Sequence, residues 1–194
     1  GIGTLRNVKI SNIEATGASA TGCAISGLPE AKIENLSLSN IRLSFAGGGT
    51  LDDAERPIPE NPEKYPECSM FGRLPAYGLY CRHIDGLTMQ NVHLQLAADD
   101  GRHAVVLEDV RDVLIDAQAA DYSNGAASQV RLTNAQTAMI RGCTPKADVF
   151  VRVRGDETSG ITLTGNDLRA VRAISQVGAD VPSGAVAQLA NRTR

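Results

Sequence analysis

LRNVKISNI at residues 5–13 returns as IENLSLSNI at 33–41 and IDGLTMQNV at 84–92, with the side chains changed and the pattern kept. In each phrase apolar residues alternate with polar ones, and Asn or Gly keeps fixed places. Weaker copies follow as VRDVLIDAQ at 110–118, TAMIRGC at 137–143 and SGITLTGND at 159–167. Aligned on one apolar position they give Val8, Leu36, Leu87, Val113, Ala138 and Ile161, with successive separations of 28, 51, 26, 25 and 23 residues. Repetition at such a period is the mark of a stacked architecture, and here one step carries an insertion.

Alternation with period 2 means strand, because successive side chains of a strand point to opposite faces. A second short run precedes most copies: CAISGL at 23–28, YGLYCRH at 77–83, HAVVLED at 103–109, SQVRLTN at 128–134 and VFVRVRG at 149–155. Each period therefore holds two strands separated by a tight turn. Between the copies no stretch of ten residues has helical spacing, and the connections are too short for crossover helices. The expected fold is all-β: one right-handed, single-stranded parallel β-helix. Its six to seven coils, at about 4.8 Å each, make a rod roughly 35 Å long. Asn12 and Asn40 share a slot, with Asn91 at the corresponding place; Asn tolerates the left-handed backbone of a corner, and its amide can bond the next coil.

Composition agrees. Hydrophobic residues make 42%, aromatics only 4%, and there is no Trp, which suits a narrow core of Val, Ile, Leu and Ala. The 194 residues fit one domain. It is read as 1–194, interrupted by an insertion at 44–76 and ending in an irregular tail at about 170–194. A net charge of −3 with scattered Lys and Arg argues against a nucleic-acid partner. No run of 18 apolar residues occurs, so no membrane span is expected. The sequence opens inside a repeat, without a signal peptide or a visible cap before Leu5. The expectation is a C-terminal piece of a longer helix or an open face covered by another subunit, as in a homo-oligomer.

Cys23, Cys68, Cys81 and Cys143 show neither CxxC pairing nor metal spacing. Cys23, Cys81 and Cys143 read as small core residues; a Cys68–Cys81 bridge is sterically conceivable in a secreted protein. His83, His93 and His103 are ten residues apart, which matches no coil, so no metal site is expected. His93 and His103 read as surface or turn residues, and His83 as a bond to the loop.

The insertion holds five of the eight prolines, Pro57, Pro59, Pro62, Pro66 and Pro75, together with a Gly triplet and six carboxylates. Proline fixes φ and lowers the entropy lost on ordering, so a loop rich in it can keep a shape over a rigid scaffold. Tyr65, Met70, Phe71, Leu74 and Tyr77 indicate a loop that packs down on the helix.

YPE, MFG and LPAYGLYCRH, in that order, with SGLPEAKIENLSLSNIRLSFAGG upstream and HAVVLEDV downstream, resemble the C-terminal half of glycoside hydrolase family 28, the polygalacturonase-like enzymes. The resemblance covers residues 1 to 170. It implies pectic substrates, secretion or a periplasmic location, no cofactor, and hydrolysis with inversion by carboxyl groups roughly 6.5–9.5 Å apart. The family's Asn-Thr-Asp, Gly- or Gln-Asp-Asp, Gly-His-Gly and Arg-Ile-Lys motifs do not occur in this sequence. An intact catalytic site is therefore not expected. Asp52, Asp53, Asp99 and Asp100 are weak substitutes, read as solvated turn carboxylates. Aromatic faces stack on sugar rings and guanidinium pairs with uronate; that combination falls at Tyr65, Phe71, Arg73, Tyr77, Tyr80, Arg82 and His83. The alternative role is a non-catalytic carbohydrate-binding or assembly module.

Overall fold

A computed structural model describes residues 3–65, 67 and 69–194. β1 (Arg6–Ala18) carries the first phrase, β2 (Cys23–Ser26) the first short run and β3 (Ile33–Phe45) the second phrase. The long loop holds a single helical turn, α1 (Leu51–Ala54), and leads into β4 (Ala76–Leu96). Then come β5 (His103–Asp116), β6 (Ala119–Ala120), β7 (Val130–Arg141), β8 (Val149–Arg154), β9 (Ser159–Thr164), β10 (Ala173–Val177) and β11 (Val186–Leu189). Every pairing between these strands is parallel, and together they wind a β-solenoid of about seven turns.

The register follows the repeat. Val8 pairs with Leu36, Leu36 with Leu87, Leu87 with Val113, Val113 with Ala138 and Ala138 with Ile161. Leu36, Leu87, Val113, Ala138 and Ile161 are all buried, because each inward position meets its counterpart one coil away. A second inward column runs through Ile25, Cys81, Leu107, Leu132 and Val153, and the exposed Val177 continues its register.

The two runs of a period are continuous in β4, β5 and β7, and the turn between them is a single residue in the left-handed conformation. His83 (φ 54°), Asp109 (48°) and Asn134 (50°) form one such corner column. Asn7, Asn35, Gly86, Asp112, Thr137 and Gly160, with φ between 51° and 82°, form the second. The third begins with Asn12, Asn40 and Asn91. Left-handed residues sit where the wall turns, and Asn and Gly accept that geometry at least cost. The amides also link coils: Asn40 Nδ2 donates to Asn12 Oδ1 at 3.2 Å, and Asn91 Nδ2 to Asn40 Oδ1 at 2.9 Å. At Gly86 (φ 82°) an added Cβ would stand 2.9 Å from Asn35 Oδ1, so a larger residue there would have to displace the Asn35 amide.

The tail differs from the sequence expectation. Instead of an irregular segment, residues 173–189 carry β10 on β8 and β11 on β9, with Val186 opposite Ile161 as a seventh member of the leading column. Its side chains are largely exposed, so the ladder hydrogen bonds rather than an apolar pattern define these strands.

Cys23, Cys81 and Cys143 are free thiols. Burial pushes the Cys81 thiol up to about 12 and the Cys143 thiol up to about 11, so both are inert core side chains. The conceivable partner, Cys68, lies outside the described residues.

Candidate functional site

The insertion is an ordered strap across the outer face of the sheet formed by β4, β5, β7 and β8. Thr50 starts α1 with a reciprocal cap: Asp53 N donates to Thr50 Oγ1 at 3.1 Å, and Thr50 N to Asp53 Oδ2 at 2.9 Å. Ile58, Phe71 and Leu74 then bury themselves against Ala76, Tyr80 and Val106, a second apolar cluster on the outside of the solenoid wall.

Guanidinium groups rising from the wall hold the strap by its carbonyls. Arg82 donates to Ile58 O at 2.8 Å and Pro59 O at 3.1 Å, while its carbon Cζ stands 5.5 Å from the Phe71 ring centre and 5.6 Å from that of Tyr80. Arg102 donates to Leu74 O at 3.2 Å, and Arg131 to Ala54 O at 2.7 Å. His83 fastens the same strap: its Nε2 meets Glu60 at 3.1 Å and its Nδ1 meets Asp109 Oδ2 at 2.7 Å. Asp109 also takes Lys32 Nζ at 2.6 Å. Burial pushes the Asp109 carboxyl up, but the bonds from Lys32 and His83 outweigh it and hold the group below the usual range.

The four aspartates weighed from sequence do not assemble into an acid and base. Asp52 is exposed on α1, and Asp53 is the helix cap with Arg73 at 3.4 Å. Asp99 is exposed. Asp100, expected in solvent, is instead buried in an ion pair with Arg102, Oδ2 to Nη2 at 2.8 Å, and accepts Gly49 N at 2.9 Å. It anchors the start of the strap.

The seven residues assigned to glycan contact separate into two groups. Tyr65 is 83% exposed, and Arg73 is half-buried, donating to Gly48 O at 2.8 Å. Phe71, Tyr77, Tyr80, Arg82 and His83 are buried. Tyr77 lies in the main core, edge-on to Phe45 with ring centres 6.1 Å apart, and its hydroxyl donates to Asp121 O at 2.6 Å. Tyr80 lies under the strap with its hydroxyl on Glu108. Neither tyrosine presents a ring face to a sugar. Tyr77 points inward, against the expectation of a surface contact, and Tyr80 points outward onto a face that the insertion roofs.

What remains open is a cleft of about 670 Å³ between the outer edge of β2 and the strap. Its floor is Cys23, Ala24 and Ser26; its wall is Glu60, Lys64 and Phe71. Small side chains along β2 make the space, a signal the sequence carried in CAISGL without marking it as a groove.

No family model, curated protein or solved structure matches this chain. Its chemistry therefore rests on these residues alone. Among the described residues no three His, Cys, Asp or Glu side chains converge as metal ligands. Glu60 and Asp109 approach His83 from opposite edges of the imidazole, so the three cannot share one ion.

His103, expected at the surface, is fully buried. Ser128 Oγ donates to Val130 O, so His103 Nδ1 carries the proton donated to Ser128 Oγ at 2.7 Å, and Nε2 has no partner among the described residues. Burial, aided by the charges of Arg131, Arg152 and Arg154, pushes this imidazole well below its ordinary 6.5. The folded chain holds it neutral while the unfolded chain protonates it near 6.5, so stability is full above that pH and falls below it. Melting temperature should decline from pH 7 to pH 5, at most about 1.4 kcal/mol per pH unit from this group. His103→Leu should flatten the decline. An equally steep profile in the variant would assign it elsewhere.

Proposed function

We propose that this chain is a polysaccharide-binding portion of a pectin-directed glycoside hydrolase of the polygalacturonase type, providing a wall for an acidic glycan and no catalytic carboxyl pair of its own. The cleft between β2 and the strap carries this reading: its volume of about 670 Å³ has room for sugar rings, its lining offers Lys64 as a cation beside Glu60 and Glu67 as hydrogen-bond acceptors, and the next residue in the chain, Tyr65, is exposed. The segments that resemble the family, MFG and LPAYGLYCRH, are the ones that fasten the strap beside it, through Phe71, Leu74, Arg82 and His83. Asp53 and Asp100 are committed to a helix cap and a buried ion pair, which supports a binding role over hydrolysis.

Calorimetry with oligogalacturonate tests it. Tyr65→Ala and Lys64→Ala should each weaken binding several-fold with unchanged melting temperature, since both side chains are exposed. No reducing sugar should be released. Absence of binding to any pectic glycan would refute the reading, and hydrolysis lost in Asp52→Asn or Asp99→Asn would refute its non-catalytic part. An assembly role draws on a different observation, the exposed apolar side chains of Leu5 and Ile13 beside and on the outermost strand, β1. Concentration-dependent sedimentation, with glycan binding absent, would favour it.

A further inference from the structure

On the far side of the strap from the cleft, three guanidinium groups gather on the rigid wall. Arg131 pairs in register with Arg152, and Arg154 stands two residues further along the same strand and so on the same face. One carboxylate from the strap, Glu55, sits among them. Arg154 grips it with both prongs, Nη1 to Oε2 and Nη2 to Oε1 at 2.6 and 3.1 Å, while Arg152 Nη1 reaches Oε1 at 3.0 Å. Arg152 Nη2 bonds Gln176 Oε1 at 3.0 Å, and the Arg131 Nε is buried without a partner among the described residues.

Two features separate this cluster from an ordinary surface ion pair. Glu55 rides on the insertion, immediately after the four-residue α1, whereas its partners belong to the hydrogen-bonded ladder. The fork is also open to solvent: the side chains of Glu55, Arg154 and Arg152 are 44%, 38% and 23% exposed. A planar, bidentate guanidinium site of this kind matches any carboxylate brought to it, and Glu55 fills the position that a ligand carboxylate would take.

We infer that Arg152 and Arg154 form a uronate-binding subsite that Glu55 occupies in the free protein and that an acidic glycan enters by displacing Glu55. The inference rests on the reading of this chain as a binder of acidic pectic glycan, and names the ligand group and a self-occupying contact on its surface. Apparent affinity at such a site is reduced by the fraction of molecules in which the fork is free. Removing the internal competitor therefore strengthens binding, the reverse of what removing a contact residue does. The structural cost is small, because solvent-exposed ion pairs contribute little to stability.

The experiment titrates trigalacturonate, and its fully methyl-esterified form, into the wild-type chain and into Glu55→Gln, Arg154→Ala and Tyr65→Ala variants. Glu55→Gln is expected to tighten the acid form three- to tenfold and leave the ester unchanged, with melting temperature nearly constant. Arg154→Ala is expected to weaken the acid form at least fivefold. Unchanged affinity in Glu55→Gln, with only a lower melting temperature, overturns the subsite and makes Glu55 a strap fastener; binding that still depends on Tyr65 would then leave the cleft reading standing. Binding that depends on Arg154 and not on Tyr65 upholds the subsite and removes the cleft. Failure of both wild type and Glu55→Gln to bind trigalacturonate overturns both.

Discussion

Arg102→Met is expected to destabilise the chain by about 3–5 kcal/mol, the usual cost of leaving one member of a buried ion pair behind. Both side chains are fully buried, so the Asp100 carboxylate would remain in the interior with its strongest partner gone. The loss extends beyond the pair, because Arg102 Nη1 also donates to Leu74 O and Ala76 O, which join the strap to β4. For a chain of this size the shift in melting temperature is roughly 6–20 °C. Burial pushes the Asp100 carboxyl up, but the bonds from Arg102 and from the backbone at Arg102 and Gly49 outweigh it and hold the group below its ordinary value of 3.8. Its contribution is therefore present above that pH and fades as pH falls through the lower folded value. The gap between wild type and variant should narrow in strong acid. Asp100→Asn combined with Arg102→Met should recover part of the loss, since no unpaired charge is left. A variant that melts within a degree of wild type would show that the pair contributes nothing.

Arg82→Met should release the strap. The Arg82 guanidinium is the meeting point of two loop carbonyls, Ser26 Oγ, the Glu60 carboxylate at 3.2 Å and two aromatic faces. Charged hydrogen bonds at buried sites and cation–π contacts place its removal at about 2–4 kcal/mol. Because the contacts lie between strap and wall, the loss falls on local opening of the strap rather than on the stack of coils. Trypsin cleavage after Lys64 is the readout, expected to quicken at least tenfold while the β-sheet circular dichroism is kept. Arg82→Lys should rescue little, since an ammonium cannot span the Ile58 and Pro59 carbonyls as a planar fork does. Equal protease resistance in wild type and Arg82→Met would mean that Phe71, Leu74 and Ile58 hold the strap unaided.

The pairing from Val8 to Ile161 was legible because the repeat is written in the inward positions, and each inward position needs an apolar partner one coil away. Corners were legible through Asn12 and Asn40, whose backbone demand few residues meet. The last turns were not. In β10 and β11 the outward and inward positions no longer contrast, and Ala190 (φ 48°) takes a corner that Asn fills elsewhere. Site residues were the least legible part. Alternation tells which wall face a side chain occupies, and it cannot tell whether something covers that face. Tyr80 and Arg82 therefore read as surface groups, and the strap buries them. Conversely nothing local marks Arg152 and Arg154, because their partner Glu55 lies 97 and 99 residues earlier in the chain.

The strap also bears on how fast the solenoid can form. Each coil closes onto the last across a gap of 23 to 28 residues, except the step from Leu36 to Leu87, which spans 51. Chain-closure entropy grows only with the logarithm of the gap, so doubling it costs about 0.6 kcal/mol. That is roughly a threefold slowing of one zippering step, small beside the energy of a strand pair eleven residues long. The insertion at 44–76 can thus be carried in mid-solenoid with little kinetic penalty, and the stacking of coils on either side of it remains a nearest-neighbour process.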